Sequence, residues 1–385
     1  MNRRELLNRG ANAAAALSVL APAHLLAQAG GPTFKPDAPL VPLIARRDRL
    51  FRVTVCLRPF RAAGPRIEVE QVGRKHVVHH YGHGGSGWSL SWGSALEAVP
   101  LALQAGQRDI AVIGAGAIGL TTAVTAQRLG AKVTIYAKER FPDVRSARAT
   151  GGWTPDSRIA MASGAGPDFA ARWERMTRAA FAHHQSFLGL AGNPVEWTEQ
   201  YVLRDAPHVP EAAPAGEHFL TLQDRVRDLT PQPILLAPGT HPFATPIVEH
   251  SSTLTFNIAD LARQLEADFL AAGGRFVVAE LHEPADFGRI REKTIINCTG
   301  YGARALCRDD SVVPVRGQIA WLIPQPGFDY SVRYRHLSIR GRRDGIVVQP
   351  LGDNDFFGFN DDNETPDYQA AFAAVDEAAG IFARG

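Results

Sequence analysis

Between residues 110 and 136 the spacing of apolar positions changes twice. Residues 110–113 form a short unbroken apolar run, 120–129 place apolar and small side chains at helical spacing, and 132–136 (KVTIY) return to a strand-like run. The unit reads strand, turn, helix, strand. Upstream, 51–57 and 66–72 read as strands, the second setting Ile67, Val69 and Gln71 against Glu68, Glu70 and Val72. A third strand over 77–81 precedes a glycine-dense stretch, and a helix is expected over 93–105. Downstream, 168–190 is helix-like, 196–203 strand-like, and 257–272 amphipathic, with Asn257 as the starting cap and Gly273 and Gly274 as the stop. Strands are expected at 275–279, 293–297, 318–323, 345–349 and 356–359, and a closing helix from Pro366. The strand runs around the glycine turn, with helices between them, predict an α/β fold.

With 385 residues and 45% hydrophobic content, the chain can bury a large core in one or two domains. Its 41 basic and 39 acidic residues give a net charge of +2, spread without long like-charged runs, which argues against a nucleic-acid groove and for a small-molecule partner. Residues 1–29 stand apart. Arg3 and Arg4 start a basic segment, 11–26 is a mildly apolar alanine-rich run broken by Pro22, and Ala27-Gln28-Ala29 supplies a small-x-small cleavage pattern. This resembles a twin-arginine export signal, so the expectation is a periplasmic or secreted protein, exported folded, with no stable membrane insertion after cleavage. Residues 30–42 read as a linker. Cys56, Cys298 and Cys307 are odd in number and lack CxxC spacing, so they suggest neither a metal site nor a disulfide framework.

The turn Gly114-Ala115-Gly116-Ala117-Ile118-Gly119 lies where a dinucleotide fingerprint must lie, after a strand and opening a helix. Gly114 permits the tight turn, Gly116 lets backbone approach a pyrophosphate, and Gly119 lets the helix pack on the strand. Glu139, 25 residues beyond Gly114, is placed either to accept hydrogen bonds from an adenosine ribose or to sit solvated on a loop. Two more small-residue turns carry the choice of cofactor. Thr299 and Gly300 follow the strand 293–297 and bring backbone close to a second part of the nucleotide. The run 81–87, with His83, Gly84, Gly85, Ser86 and Gly87, is suited to wrapping a flat ring, with Ser89 just beyond it. Three such turns fit a large enclosed cofactor, FAD rather than NAD.

The segments VIGAGAIGL, GGWTP (151–155), INCTGYGAR, VPVRGQ, LRPFRAAGPRIEVE and HHYGHGGSGWSLSWGSALE together resemble the D-amino acid oxidase family of FAD-dependent amine oxidases. The order differs. In that family the LRP and YGHGG segments close the chain; here both precede the Rossmann turn, as in a circular permutation joined through residues 104–109. The resemblance implies a Rossmann-type FAD-binding domain (59–160 and 253–315) and an antiparallel-sheet substrate domain (38–58, 161–252 and 316–385).

By the same resemblance, Arg58 binds the substrate carboxylate, and Gly151 and Gly152 join the cofactor site. Gly84, Gly85 and Gly87 line the flavin and offer backbone groups to its pyrimidine carbonyls and to the substrate amine. His83 is either an acid/base group or a hydrogen-bonded loop histidine. The implied reaction is oxidative deamination of a D-amino acid or related amine, with molecular oxygen as acceptor and hydrogen peroxide as product. A dehydrogenase using a quinone or periplasmic carrier, and an inert flavin-binding protein, are the alternatives. One position departs from the family: its carboxylate-binding tyrosine falls on Ile346. Tyr330 and Tyr334, on an expected loop, or an arginine such as Arg335 or Arg340, are the substitutes.

Overall fold

The structure is a computed structural model that describes residues 40–207 and 216–382, so the export-signal reading falls outside the described residues. Strands β1 (Leu50–Phe60), β2 (Arg66–Val72) and β3 (Lys75–Tyr81) precede helix α1 (Gly87–Leu103). The glycine-turn unit is β4 (Asp109–Ile113), α2 (Ala117–Arg128) and β5 (Lys132–Ala137). Next come α3 (Phe169–Gln185), β6 (Val195–Arg204), β7 (Ile234–Leu235) and β8 (Ile247–Phe256). They are followed by α4 (Ile258–Ala271), β9 (Arg275–Val278), β10 (Thr294–Asn297) and the single turn α5 (Ala303–Leu306). The chain closes with β11 (Val313–Leu322), β12 (Ser331–Tyr334), β13 (Leu337–Arg342), β14 (Gly345–Pro350) and α6 (Tyr368–Phe382).

Two sheets result. The six-stranded sheet runs β2-β3-β10-β4-β5-β9, parallel from β3 to β9 with β2 antiparallel at the edge. Its central strands are apolar on both faces, as parallel strands covered on both sides must be. Val78, Ile110, Val112, Ile135 and Ile296 pack into the large core with α1, α2 and α4. Val77, Ala111, Ile113 and Ile295 face the opposite way, against Phe287, Ile290 and Leu306. The eight-stranded sheet runs β1-β11-β14-β13-β12-β6-β8-β7, antiparallel except between β12 and β6. The fold is therefore α/β, a Rossmann-type sheet beside a second, mainly antiparallel one. Among the described residues no helix is long and apolar enough to cross a membrane.

The early segment belongs to the nucleotide sheet. β3 pairs in parallel with β10, His76 opposite Thr294 and His79 opposite Asn297, and β10 pairs in turn with β4. Three adjacent parallel strands thus end at the same edge, and each carries one glycine turn: 82–87 after β3, 299–300 after β10, and 114–119 after β4. In open α/β sheets that edge is where ligands bind.

Several expected elements differ. α1 begins at Gly87 rather than near residue 93, because its glycines serve packing instead of breaking the helix: a methyl on Gly93 would overlap the Met176 carbonyl of α3. The expected strand at 356–359 is a turn, held by Phe356 and Phe359 against Phe219 and joined to β11 by a bridge of Phe359 to Val315 and by the Arg316 amide, which donates to the Gly358 carbonyl at 2.8 Å. The stretch around Tyr330 and Tyr334, expected as a loop, carries instead the β12–β13 hairpin. Asn257 starts α4 without a side-chain cap bond. Its amide instead donates to the Asn193 carbonyl and to Glu196, each at 2.7 Å.

Candidate functional site

A cavity of about 420 Å³ opens at the shared strand edge, within the size range of small-molecule sites. Gly114, Gly116, Ala117 and Ile118 line it from the first turn, and Glu139, an exposed residue, lines it from beyond β5. Thr299 and Gly300 line it from the second turn; His83, Gly84, Gly85, Gly87 and Ser89 from the third; Gly151 and Gly152 from the loop facing them. Arg58 enters from β1. Four expected residues do not line it. Gly119 lies behind the turn, where a methyl would overlap the Gly114 carbonyl. Ser86 is buried and donates to the Ser157 carbonyl at 3.1 Å. Tyr330 is buried, its hydroxyl spent on the Val41 carbonyl at 2.8 Å. Tyr334 donates to Asp205, also at 2.8 Å. Neither tyrosine is the carboxylate donor, because both hydroxyls are anchored outside the cavity.

The glycines are required by close approach. Gly114 has φ +101°, and a side chain there would stand 2.6 Å from the Cys298 carbonyl oxygen, at the junction of two strand ends. Gly84 has φ +54°, and a methyl on it would overlap the Arg158 carbonyl. The amides of Gly84 and Gly85 donate to Pro59 O (2.8 Å) and Ser157 O (2.9 Å), so neither is left for a ligand. Of the backbone groups expected from these two, the amides are thus already engaged, and only their carbonyls remain for a substrate amine. Gly87, Trp88 and Ser89, the first turn of α1, line the cavity, and their amides belong to the positive end that a 17-residue helix leaves without i−4 partners.

The loop after β5 contributes residues that sequence reasoning missed. Arg145, Ser146 and Arg148 line the cavity. Ser146 Oγ accepts from Ala117 N–H at 3.0 Å, so it occupies the first amide of α2, and its carbonyl accepts from Trp88 Nε1 at 2.9 Å. Arg145 and Arg148 share Glu364, and Arg148 also donates to Val55 O at 3.1 Å. The only signal was the run RSARATGG, which has polar composition and no period. Two guanidiniums beside the amino end of α2 make a setting for a pyrophosphate.

His83 lies at the cavity but is buried, with Nε2 3.0 Å from Ser94 Oγ. Burial pushes it down to about 3, so it is neutral at working pH and is no acid/base group. Arg58 differs. Its Nη1 donates to the carbonyls of Arg316 (3.2 Å) and Val315 (3.5 Å), and among the described residues no carboxylate pairs with it. Burial lowers its pKa, yet a guanidinium stays charged. Gly317 opposite is glycine because any side chain would overlap that fork.

Ile346 is buried between its partners Leu322 and Gly341, while its neighbour Val347 turns the other way to join Ile319 and Trp321. Val347 faces Arg340 across the strands. Arg340 is 8% exposed, donates to Thr255 Oγ1 at 2.6 Å, and brings Nη2 to within 2.8 Å of where a Gly152 methyl would stand. Burial and Arg342 push it down to about 10. Arg335 is instead an exposed partner of Asp205.

With this geometry in place, comparison with known proteins becomes informative. The pattern of the family described as "DAO: FAD dependent oxidoreductase" matches residues 109–383. The chain belongs to the FAD-dependent oxidoreductase (DAO) family. A D-amino-acid oxidase of Rubrobacter xylanophilus is 28% identical over 223 residues, 57% of this chain and 60% of that protein, so the chain spans less than two thirds of this relative's length. A D-amino-acid oxidase of Dictyostelium discoideum is 55% identical over only 51 residues, 13% of this chain and 14% of the relative. Among solved structures, iminodiacetate oxidase from Chelativorans sp. BNC1 superposes with a TM-score of 0.48 at 16% identity, covering 71% of this chain and 79% of that one.

FAD is the cofactor of this DAO-family protein, and the residues present fit it. The glycine cradle at 114–119 with Arg145 and Arg148 suits the pyrophosphate, and Glu139 stands within the same cavity for the adenosine side. The ring-wrapping loop and the amino end of α1 suit an electron-poor flat ring that gains negative charge when reduced.

Proposed function

We propose that this chain oxidises the carbon–nitrogen bond of a D-amino acid or related amine, with release of an imine and transfer of electrons to molecular oxygen. The observation that carries this reading is Arg58, a charged guanidinium on the cavity wall held by main-chain carbonyls and left without an acidic partner among the described residues. A planar fork in that state is a receptor for a carboxylate.

Bound FAD supplies the two-electron acceptor. The protein's own residues do the rest. Arg58 takes the substrate carboxylate and thereby fixes the alpha carbon against the ring site, which converts a collision into a held near-attack geometry. The α1 amides favour negative charge accumulating on the cofactor. The buried His83 takes no proton, so the substrate's ammonium gives its proton to solvent before the carbon–nitrogen bond is oxidised.

The chain order belongs to the same proposal: the family's closing segment stands at the front. One observation supports it. Residues 41–108 lie outside the matched region 109–383, yet they contribute β2, β3 and α1 to the nucleotide sheet and its cover.

The test is spectroscopic. Purified protein should be yellow, and under nitrogen a set of D- and L-amino acids and secondary amines should include at least one that bleaches the flavin bands; air should then restore them with peroxide release. Arg58→Met is expected to retain flavin while bleaching slows roughly a hundredfold or more, the worth of a charge-assisted bidentate contact. Flavin that no amine bleaches, or unchanged rates in Arg58→Met, would sink the assignment.

A further inference from the structure

A line of hydrogen bonds runs from the protein surface to the second glycine turn, and the reaction above does not use it. It starts at Glu70 on the edge strand β2, whose half-exposed carboxylate lies 2.8 Å from His79 Nε2 and accepts from Arg66 at 3.1 Å. His79 on β3 and Asn297 at the end of β10 are opposite one another in the parallel register, and both are buried. Asn297 Nδ2 stands 3.3 Å from His79 Nδ1 and 3.1 Å from Cys307 Sγ. Asn297 Oδ1 accepts from the Thr299 hydroxyl at 2.8 Å and from the Thr299 N–H at 3.3 Å. Thr299 in turn lines the cavity.

The proton positions follow from the two ends of this line. A carboxylate only accepts, so His79 Nε2 carries the hydrogen and Nδ1 is left with its lone pair. That lone pair takes an Asn297 amide hydrogen, and the amide oxygen is thereby turned to Thr299. Rotated the other way, the amide would set its oxygen against a lone pair and its NH2 against the Thr299 N–H. One imidazole tautomer thus fixes the amide, and the amide fixes the threonine. The Thr299 hydroxyl, its hydrogen committed to Asn297, can only accept from a ligand, which suits a hydroxyl of the cofactor and not a phosphate oxygen.

The charged groups that act on His79 come from β2: Arg66, Glu68 and Glu70. Tyr81, on its own strand, meets the ring edge-on at 5.6 Å and carries Asp309 on its hydroxyl, and Cys307, just after α5, shares the Asn297 amide. Burial and then Arg66 hold His79 below its ordinary 6.5 against the pull of Glu70, so the ring is neutral at neutral pH. A second proton could enter only at Nδ1, where it would face the Asn297 NH2 and break the line.

We propose that His79 and Asn297 are positioning residues for the cofactor: the neutral imidazole holds the Asn297 amide, the amide holds Thr299 for FAD, and proton uptake at His79 loosens the hold on FAD. The proposal concerns cofactor retention and does not depend on which amine is oxidised.

The test reads flavin release and needs no turnover. Holoprotein is diluted stepwise on either side of the histidine range, at about pH 7.5 and about pH 5.5, and the flavin that passes a protein-retaining filter gives Kd. Because the neutral ring is the binding form, Kd should rise roughly tenfold at the lower pH. His79→Asn offers an amide oxygen where Nδ1 stood but does not titrate, so it should keep the neutral-pH Kd within roughly threefold and remove the pH slope. His79→Leu has no acceptor and should release FAD roughly tenfold more readily at both pH values. Far-ultraviolet circular dichroism shows whether each protein is folded at each pH. A merely structural role would weaken FAD binding in both variants alike and leave the slope in place. A natural chain whose Kd ignores pH, a His79→Asn variant that keeps the full slope, or His79→Leu with natural affinity overturns the proposal. Where a variant does not fold, the slope of the natural chain alone decides.

Discussion

Three histidines show how single residues set a pH limit here. His80, His83 and His184 are buried, each with one ring nitrogen near a polar atom: His80 by Thr122 Oγ1 at 3.0 Å, His83 by Ser94 Oγ at 3.0 Å, His184 by the Trp88 carbonyl at 3.1 Å. Among the described residues the second nitrogen of each has no partner. Burial pushes His83 down to about 3, His184 down to about 4, and His80 well below the ordinary value of 6.5. The unfolded chain takes up these protons near 6.5, and the folded chain does not. The stabilising contribution is therefore fully present above about 6.5 and is lost as pH falls from there toward the folded values. Calorimetric Tm should drop steadily between about pH 7 and pH 5, and His184→Gln should flatten that slope. A slope identical in the variant would place the acid sensitivity elsewhere. The glycine-turn residues, by contrast, were legible from the chain alone, because a turn that approaches a phosphate demands glycine. Arg145, Ser146 and Arg148 were not, since their role depends on which helix ends meet their loop.

At the scale of elements, legibility followed burial. β4, β5 and β10 could be read because parallel strands covered on both faces leave near-continuous apolar runs. The β12–β13 hairpin could not. Arg333, Arg340 and Arg342 interrupt its apolar pattern, and the hydroxyls of Tyr330 and Tyr334 beside it bond Val41 O and Asp205 rather than facing the cavity. Residues 356–359 misled in the opposite sense, as aromatics that pack as a turn rather than pair as a strand. The fit of α2 onto its strand gives the element-scale prediction. Gly119→Ala puts a methyl into the Gly114 carbonyl, in a turn already pressed against Cys298. Overpacking of this kind costs about 1–3 kcal/mol. The variant should melt several degrees lower and, since the displaced turn is the cofactor cradle, purify with a lower flavin-to-protein absorbance ratio. Gly288→Ala, with open space around it, is the control expected to change neither. Full flavin content in Gly119→Ala would mean that the cradle tolerates the shift.

For the whole molecule, the decisive relation is between the two ends of the described chain. α6 ends at Phe382, which packs edge-on against Phe328 at 5.8 Å; Phe328 lies 4.4 Å from Tyr330, whose hydroxyl bonds Val41 O at 2.8 Å. Arg47, just ahead of β1, further ties the front of the described chain to Asp376 of α6. Both ends thus meet at one aromatic cluster, while the 104–108 connection between α1 and β4 contributes no strand to either sheet. Ends that lie together at a surface make chain order exchangeable, because every strand pairing survives when the ends are joined and a loop is opened. A re-ordered chain that starts at Gln107, runs to Phe382, crosses a short glycine-serine linker to Val41 and ends at Gly106 would restore the family's order. It is expected to be soluble, to bind flavin, and to melt within several degrees of the natural order, since loop-closure costs change only with the logarithm of loop length. The comparison bears directly on β3: its pairing with β10 is long-range in both orders, so its stability rests on the sheet and not on its place in the chain. A re-ordered protein that stays colourless and aggregates, although the joined ends are neighbours in space, would show that the front segment is more than a displaced tail.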